Sequence, residues 1–229
     1  NIDIQGSPNN TLTMFDSNPG KVDISLGGVG RNISENIAKL GLSTKLLSAV
    51  GNDIYGNKIL SECKQLNIDV SDCYVSDAFP TSMYLSILNS DYDMQLAISH
   101  MDIIEKIDID YIVSKHNSIK DSLAIVLDTN LSYEVIDYIS RTYPNIPIFI
   151  DTVSTQKSLK IKDIIGRFNT IKPNKLEAEI LSDIKINTQD DLKQCAQYFL
   201  KKGVKNVFIT LGQDGVFCAN ENESLLFPG

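Results

Sequence analysis

An α/β fold, with a doubly wound, mainly parallel sheet and a small antiparallel β lid, is what this sequence predicts, on three observations. From residue 103 onward short apolar runs alternate with amphipathic stretches, the rhythm of strand, crossover helix and parallel strand. Over residues 81–99 the period changes to two: Met83, Leu85 and Ile87 alternate with Ser82, Tyr84 and Ser86, a polar turn follows at 89–93, and the pattern returns at 94–98. That is a hairpin with one wet face, set apart from the buried strands. The third observation is the run Gly27-Gly28-Val29-Gly30-Arg31-Asn32, which leads into a segment where Ile33, Ile37 and Leu40 share a helical face and Gly41 supplies the stop. Its glycines let a ligand approach the main chain closely, and Asn32 falls in the first turn, where free backbone N–H groups favour oxygen-rich ligands.

In chain order, residues 1–26 read as short extended pieces separated by Ser7-Pro8-Asn9-Asn10 and Asp16-Ser17-Asn18-Pro19-Gly20. The helix at 32–40 precedes a strand at 45–50 and a second helix with Ile59, Leu60, Cys63 and Leu66 inward. After the hairpin come buried-strand runs at 123–127, 147–150, 170–171 and 207–211, with helices at 132–141, 159–168, 176–181 and 190–202. Gly203 ends the last helix. One domain over 1–229, with the lid drawn from about 4–26 and 81–99, accounts for this pattern.

Composition narrows the function. The chain is 42% hydrophobic and 22% charged, ordinary globular values, and its net charge of −8 and pI near 4.8 argue against a nucleic-acid partner. No apolar run reaches transmembrane length, which points to a cytoplasmic protein without a membrane partner. Cys63, Cys73, Cys195 and Cys218 lack metal-ligand spacing, and only His100 and His116 accompany them, so reduced thiols are expected rather than zinc. The opening on Asn1 suggests that the natural beginning lies upstream.

Two nucleotide motifs fail. Gly28 and Gly30 are followed by Ile33 where a dinucleotide fingerprint needs a third glycine, and the string 51–58 puts Asn57 between glycine and lysine, with no hydroxyl residue after Lys58. Ligands of open α/β sheets bind beyond the carboxyl ends of the strands. There the sequence places Asp128-Thr129-Asn130, Asp151-Thr152-Val153-Ser154, Lys172-Pro173-Asn174-Lys175-Leu176-Glu177 and Thr210-Leu211-Gly212-Gln213-Asp214-Gly215. Singly these are explicable as helix caps and turns. Together, acids and amides able to hold hydrated magnesium beside a glycine turn describe a nucleotide-triphosphate site. The Asp3 carboxylate can accept two hydroxyl protons, which suits a sugar near 27–32.

The chain resembles the ribokinase-like, phosphofructokinase-B-type carbohydrate kinases throughout, in Asn1-x-Asp3, Gly27-Gly28-x-Gly30-x-Asn32, Gly51-x-Asp53-x-x-Gly56, Lys172-Pro173-Asn174-x-x-Glu177 and Thr210-Leu211-Gly212-x-x-Gly215. The segments 16–21, 27–32, 172–179 and Asp151-x-Val153-Ser154-x-x-Lys157 are most similar to the branch that phosphorylates pseudouridine. The resemblance implies a kinase using ATP and magnesium on the 5′-hydroxyl of that nucleoside. Asp3, Gly27, Gly28, Gly30 and Asn32, with Thr129 and Asn130, would hold substrate. Lys172, Asn174, Thr210, Gly212 and Gly215 would hold ATP, and Glu177 and Asp151 the metal. The lid would close over the sugar and form a homodimer. Alternatives are a kinase for ribose or adenosine and a non-catalytic nucleoside-binding module.

Two departures stand out. Ser99-His100-Met101 replaces an expected Asn-Asp-Met, and the family's G-A-G-D element, whose aspartate serves as base, does not occur in the 229 residues. By the resemblance that aspartate is expected beyond Gly229, so no catalytic residue is assigned within the chain. The chain as given is therefore expected to lack the C-terminal catalytic part and to be inactive.

Overall fold

The computed structural model describes residues 1–229, which divide into two compact units, 1–107 and 108–229. The first contains β1 (Ile2–Pro8), β2 (Gly20–Leu26), α1 (Val29–Lys39), β3 (Thr44–Lys45), β4 (Ala49–Gly51) and α2 (Ile54–Gln65). It continues with β5 (Ile68–Asp69), β6 (Tyr74–Ser76), β7 (Met83–Leu88) and β8 (Met94–His100).

The period-two segments form a separate four-stranded sheet, in the order β2-β1-β7-β8. It begins at Ile2, and it is mixed rather than antiparallel, because β1 pairs with β7 in parallel, Asp3 opposite Tyr84. Register gives the sheet two unlike faces. One carries Ile4, Ile24, Leu85 and Ile98 in a row and Val22, Ile87 and Leu96 beside it. The other carries Asp3, Ser25, Tyr84 and Ser99, then Gln5, Asp23, Ser86 and Ala97.

The expected strand at 45–50 is two, since its halves take different partners: β3 pairs with β5 and β4 with β6. Helix α1 starts earlier than expected, with Asn32 N–H donating to Gly28 O at 2.9 Å. Leu40 is 79% exposed rather than inward, and the helix packs through Ile33, Ser34, Ile37 and Ala38. The core beneath gathers Ile2, Leu46, Val50, Ile59, Cys63, Ile68 and Val70.

The second unit carries α3 (Ile109–Ser114), α4 (His116–Ile119), β9 (Ile125–Asp128), α5 (Tyr133–Thr142), β10 (Ile148–Asp151) and α6 (Thr155–Ser158). A 3-10 helix at Leu159–Arg167, where an α-helix was expected, buries Ile161, Ile164 and Ile165, and its Gly166 lies against the Lys202 carbonyl. Then follow β11 (Thr170–Lys172), α7 (Lys175–Ser182), α8 (Gln189–Lys202), β12 (Asn206–Thr210), β13 (Val216–Ala219) and β14 (Ser224–Phe227). The sheet order is β14-β13-β12-β11-β10-β9, parallel from β9 to β12 and antiparallel beyond.

Leu127, Ile148, Ile150, Ile171, Val207 and Ile209 are buried in this sheet. Phe168 and Phe199 complete the core, while Val126, Phe149 and Phe208 on the opposite face are 41%, 36% and 37% exposed. No helix of the chain is long and apolar enough to cross a membrane.

Candidate active site

In the first unit the glycine run and Asp3 meet directly. A Cβ on Gly27 would lie 2.0 Å from Asp3 Oδ2, so only glycine lets the carboxylate rest on the main chain there. Gly27 N–H donates to Asn1 O at 2.9 Å, and Asn1 Nδ2 donates to Asp3 Oδ1 at 2.5 Å. Burial raises the Asp3 carboxyl above its ordinary value, against the pull of the Asn1 amino group and amide. Gly28 precedes α1 with φ +100°, and Asn32 lies exposed in its first turn. Asp3, Gly27, Gly28, Gly30 and Asn32 thus occupy β1 and the entry to α1.

The Gly51-x-Asp53-x-x-Gly56 string is structural. Asp53 caps α2 by accepting from Gly56 N–H at 2.8 Å, and it accepts from Thr81 N–H and Oγ1 at 2.8 Å each. Burial works upward on its carboxyl, but these hydrogen bonds outweigh it and hold the group below its usual value.

In the second unit the strand ends behave as predicted for a parallel sheet. Thr129 is fully buried and donates Oγ1 to Thr152 O at 2.7 Å, so it organises neighbouring strand ends instead of facing a ligand. Asn130 N–H donates to Asp128 Oδ1 at 2.8 Å, and its side chain remains half-buried. Asn174 and Glu177 form a reciprocal capping box at the start of α7. Glu177 is 4% exposed, with Oε2 accepting from Asn174 N–H at 2.9 Å and from Thr152 Oγ1 at 2.5 Å, and Oε1 from Asn174 Nδ2 at 2.8 Å.

Asp151 Oδ1 accepts from Val153 N–H at 2.9 Å, and Oδ2 pairs with Lys172 at 2.9 Å. All four oxygens of the two carboxylates expected to bind magnesium therefore already accept from protein donors. No cluster of three or more His, Cys, Asp or Glu side chains is arranged for a metal. In this conformation Asp151 and Glu177 are engaged by protein donors, and no chemical step is assigned to an ion.

A cleft of about 370 Å³ lies among Asn174, Thr210, Gly212, Thr188, Ile186 and Leu192. Thr210 N–H donates to Pro173 O at 3.0 Å, which seats Asn174 beside the end of β12. Gly212 has φ +63° and open space where a Cβ would stand, whereas a Cβ on Gly215 would fall 1.9 Å from Phe227 O. Gly212 therefore fits a ligand-facing place and Gly215 a structural one. Lys172 and Gly215 are outside the lining.

Gly229, beyond which the base was expected, packs under the same turn: a Cβ there would fall 2.5 Å from Gln213 O. It too is outside the lining. The lining at 186–189 was not anticipated, although Thr188-x-x-Asp191 is a legible capping box that places the α8 N-terminus there.

A mainly parallel α/β sheet in one unit and a mixed four-stranded sheet in the other are the components of a ribokinase-like fold. The chain belongs to the pfkB family of carbohydrate kinases, whose model matches residues 2–229. The pseudouridine kinase of Escherichia coli is 39% identical over 217 residues, 95% of this chain and 69% of that kinase. A crystal structure described as a putative sugar kinase from Clostridium perfringens is 36% identical with a TM-score of 0.82, covering 96% of this chain and 70% of that one. Ribokinase from Thermotoga maritima shares the fold at TM-score 0.85 and 23% identity, covering 100% of this chain and 74% of that one. The chain spans about two thirds of the length of the curated relatives it matches. Nothing in the fold or these relatives supports the expectation that the chain is inactive.

Proposed function

We propose that this protein is a cytoplasmic kinase transferring the terminal phosphoryl group of ATP to the 5′-hydroxyl of pseudouridine. The observation that carries this reading is the 39% identity to a pseudouridine kinase across 95% of the chain. Asp3 supports it chemically: a half-buried carboxylate seated on Gly27 accepts from sugar hydroxyls and cannot donate once ionised. Asn32, in the same unit, supplies a further polar contact to the nucleoside. Asn174, Thr210 and Gly212 hold the nucleotide, which supplies the phosphoryl group together with its own magnesium. Their work is positioning of the two substrates. Glu177 acts one step removed, fixing Asn174. Neither Asp128, which accepts from Asn130 N–H, nor Asp151, paired with Lys172, is assigned the role of base.

The four-stranded sheet serves as the lid, its Asp3 face toward the sugar and its apolar face toward a second copy in a homodimer. The test is a turnover comparison on pseudouridine, uridine, adenosine and free ribose with ATP. Pseudouridine should have the highest kcat/KM, and a strong preference for ribose would refute the assignment.

A further inference from the structure

Residues 183–188 join α7 to α8, and Ile186, Asn187 and Thr188 of this connection line the cleft together with Gln189. Such a segment has no helix or sheet ladder to absorb its backbone donors, so each needs a partner from elsewhere. Here side chains supply them. Ile184 N–H donates to Ser182 Oγ at 3.2 Å and Ile186 N–H to Glu179 Oε1 at 3.0 Å, while Asn187 and Thr188 N–H both donate to Asp191 Oδ2, at 2.9 and 2.8 Å.

The Glu179 contact reaches furthest. It spans seven residues, across the left-handed turn at Asp183 (φ 59°), and joins a buried amide to a buried carboxylate: Ile186 is 3% exposed and Glu179 8%. Glu179 Oε2 also accepts from Lys185 Nζ at 2.8 Å, but that lysine is 80% exposed and the pair adds little. The weight falls on Ile186 N–H, a buried donor that the carboxylate alone satisfies. Helix α7 thus serves the cleft twice. Asn174 lines it from the N-cap, and Glu179, itself outside the lining, holds Ile186 in it.

We infer that Glu179 is a positioning residue for the nucleotide, keeping the cleft wall at 186–189 preformed so that binding does not bear the cost of ordering it. This rests on the proposed reading that the cleft takes ATP. Ser182 is the natural contrast, because it pins the same connection at Ile184, which lies outside the lining.

Glu179→Met keeps the length of the side chain and removes the acceptor, Glu179→Gln restores an acceptor, and Ser182→Ala releases Ile184 only. Affinities for ATP and pseudouridine are measured by calorimetry on the purified protein, with melting temperature alongside. Glu179→Met should weaken ATP binding by about tenfold and leave pseudouridine binding unchanged, and Glu179→Gln should recover most of the loss. Ser182→Ala should lower the melting temperature without weakening ATP binding. In the unaltered protein the Ile186 amide should exchange slowly with deuterium whether or not ATP is present. An amide that exchanges fast and slows only with ATP shows that the ligand orders the wall, and it overturns the inference even where Glu179→Met fails to fold. So does a Glu179→Met protein that binds ATP normally or loses both ligands alike, or a Ser182→Ala protein that loses as much ATP affinity. In those cases the proposed nucleotide site stands if Gly212→Ala still weakens ATP binding. If the unaltered protein binds no ATP, or Gly212→Ala and Asn174→Ala both bind it normally, that reading falls and the inference with it.

Discussion

Asp53 shows how much a single carboxylate can hold. Its three acceptor contacts tie the first turn of α2 to Thr81, which is 3% exposed and has no other acceptor for its backbone N–H. Asp53→Ala uncaps a helix and orphans a buried donor, a loss of about 3 kcal/mol measurable by denaturant unfolding. The folded carboxyl lies below its ordinary value. Its contribution is therefore complete above the unfolded carboxyl's value, about 4, and is lost as pH falls from there through the folded value. Asp53→Asn should flatten that acid limb, and an unchanged limb would show that another group produces it. The motif was visible in the sequence, but its partner was not: nothing local in the chain couples residue 53 to residue 81. Asp3 and Gly27 were likewise both legible, whereas their contact depends on the β1–β2 register.

Elements with a strong period were legible, and those made by partner choice were not. Helix α8 follows directly from Leu192, Cys195, Ala196 and Phe199 on one face, with Thr188 and Gly203 at its ends. The parallel strands β9 to β12 follow from short apolar runs of the doubly covered type. By contrast, β3 to β6 are two or three residues each, too short for any period to register. β13 escaped notice because it opens directly from the glycine turn after β12, and β14 because only the polar turn at 220–223 separates it from β13. That turn yields a contrast between its glycines. Gly215→Ala forces a Cβ into the Phe227 carbonyl at φ +95° and should strip β14 from the sheet, a large drop in melting temperature. Gly212→Ala meets open space and should cost about 1 kcal/mol of stability while weakening ATP binding. Equal melting temperatures for the two variants would refute this division.

For the molecule as a whole, the amphipathic sheet β2-β1-β7-β8 bears on assembly. Ile24, Leu96 and Ile98 are 53%, 59% and 58% exposed in one contiguous apolar patch. Patches of this kind mark association surfaces. Ile98→Lys should leave the fold intact, because the side chain already reaches solvent, and convert a dimer to a monomer in analytical ultracentrifugation. An unchanged mass would remove this face as the interface. The family and the parallel sheet were readable from spacing and motif. The mixed pairing of β2-β1-β7-β8 was not, since period-two alternation gives the faces of a strand but not its direction relative to a neighbour.

That parallel pairing has a kinetic consequence. β1 and β2 are separated by a short connection, but β1 cannot complete its other edge until β7 arrives about eighty residues later. Contacts so distant along the chain form slowly, since a long loop must be closed before any pairing rewards it. Asp3, at the seam between the early hairpin and the late strand, should be among the last groups to settle. A refolding chain would then acquire its more local helices before this sheet is complete.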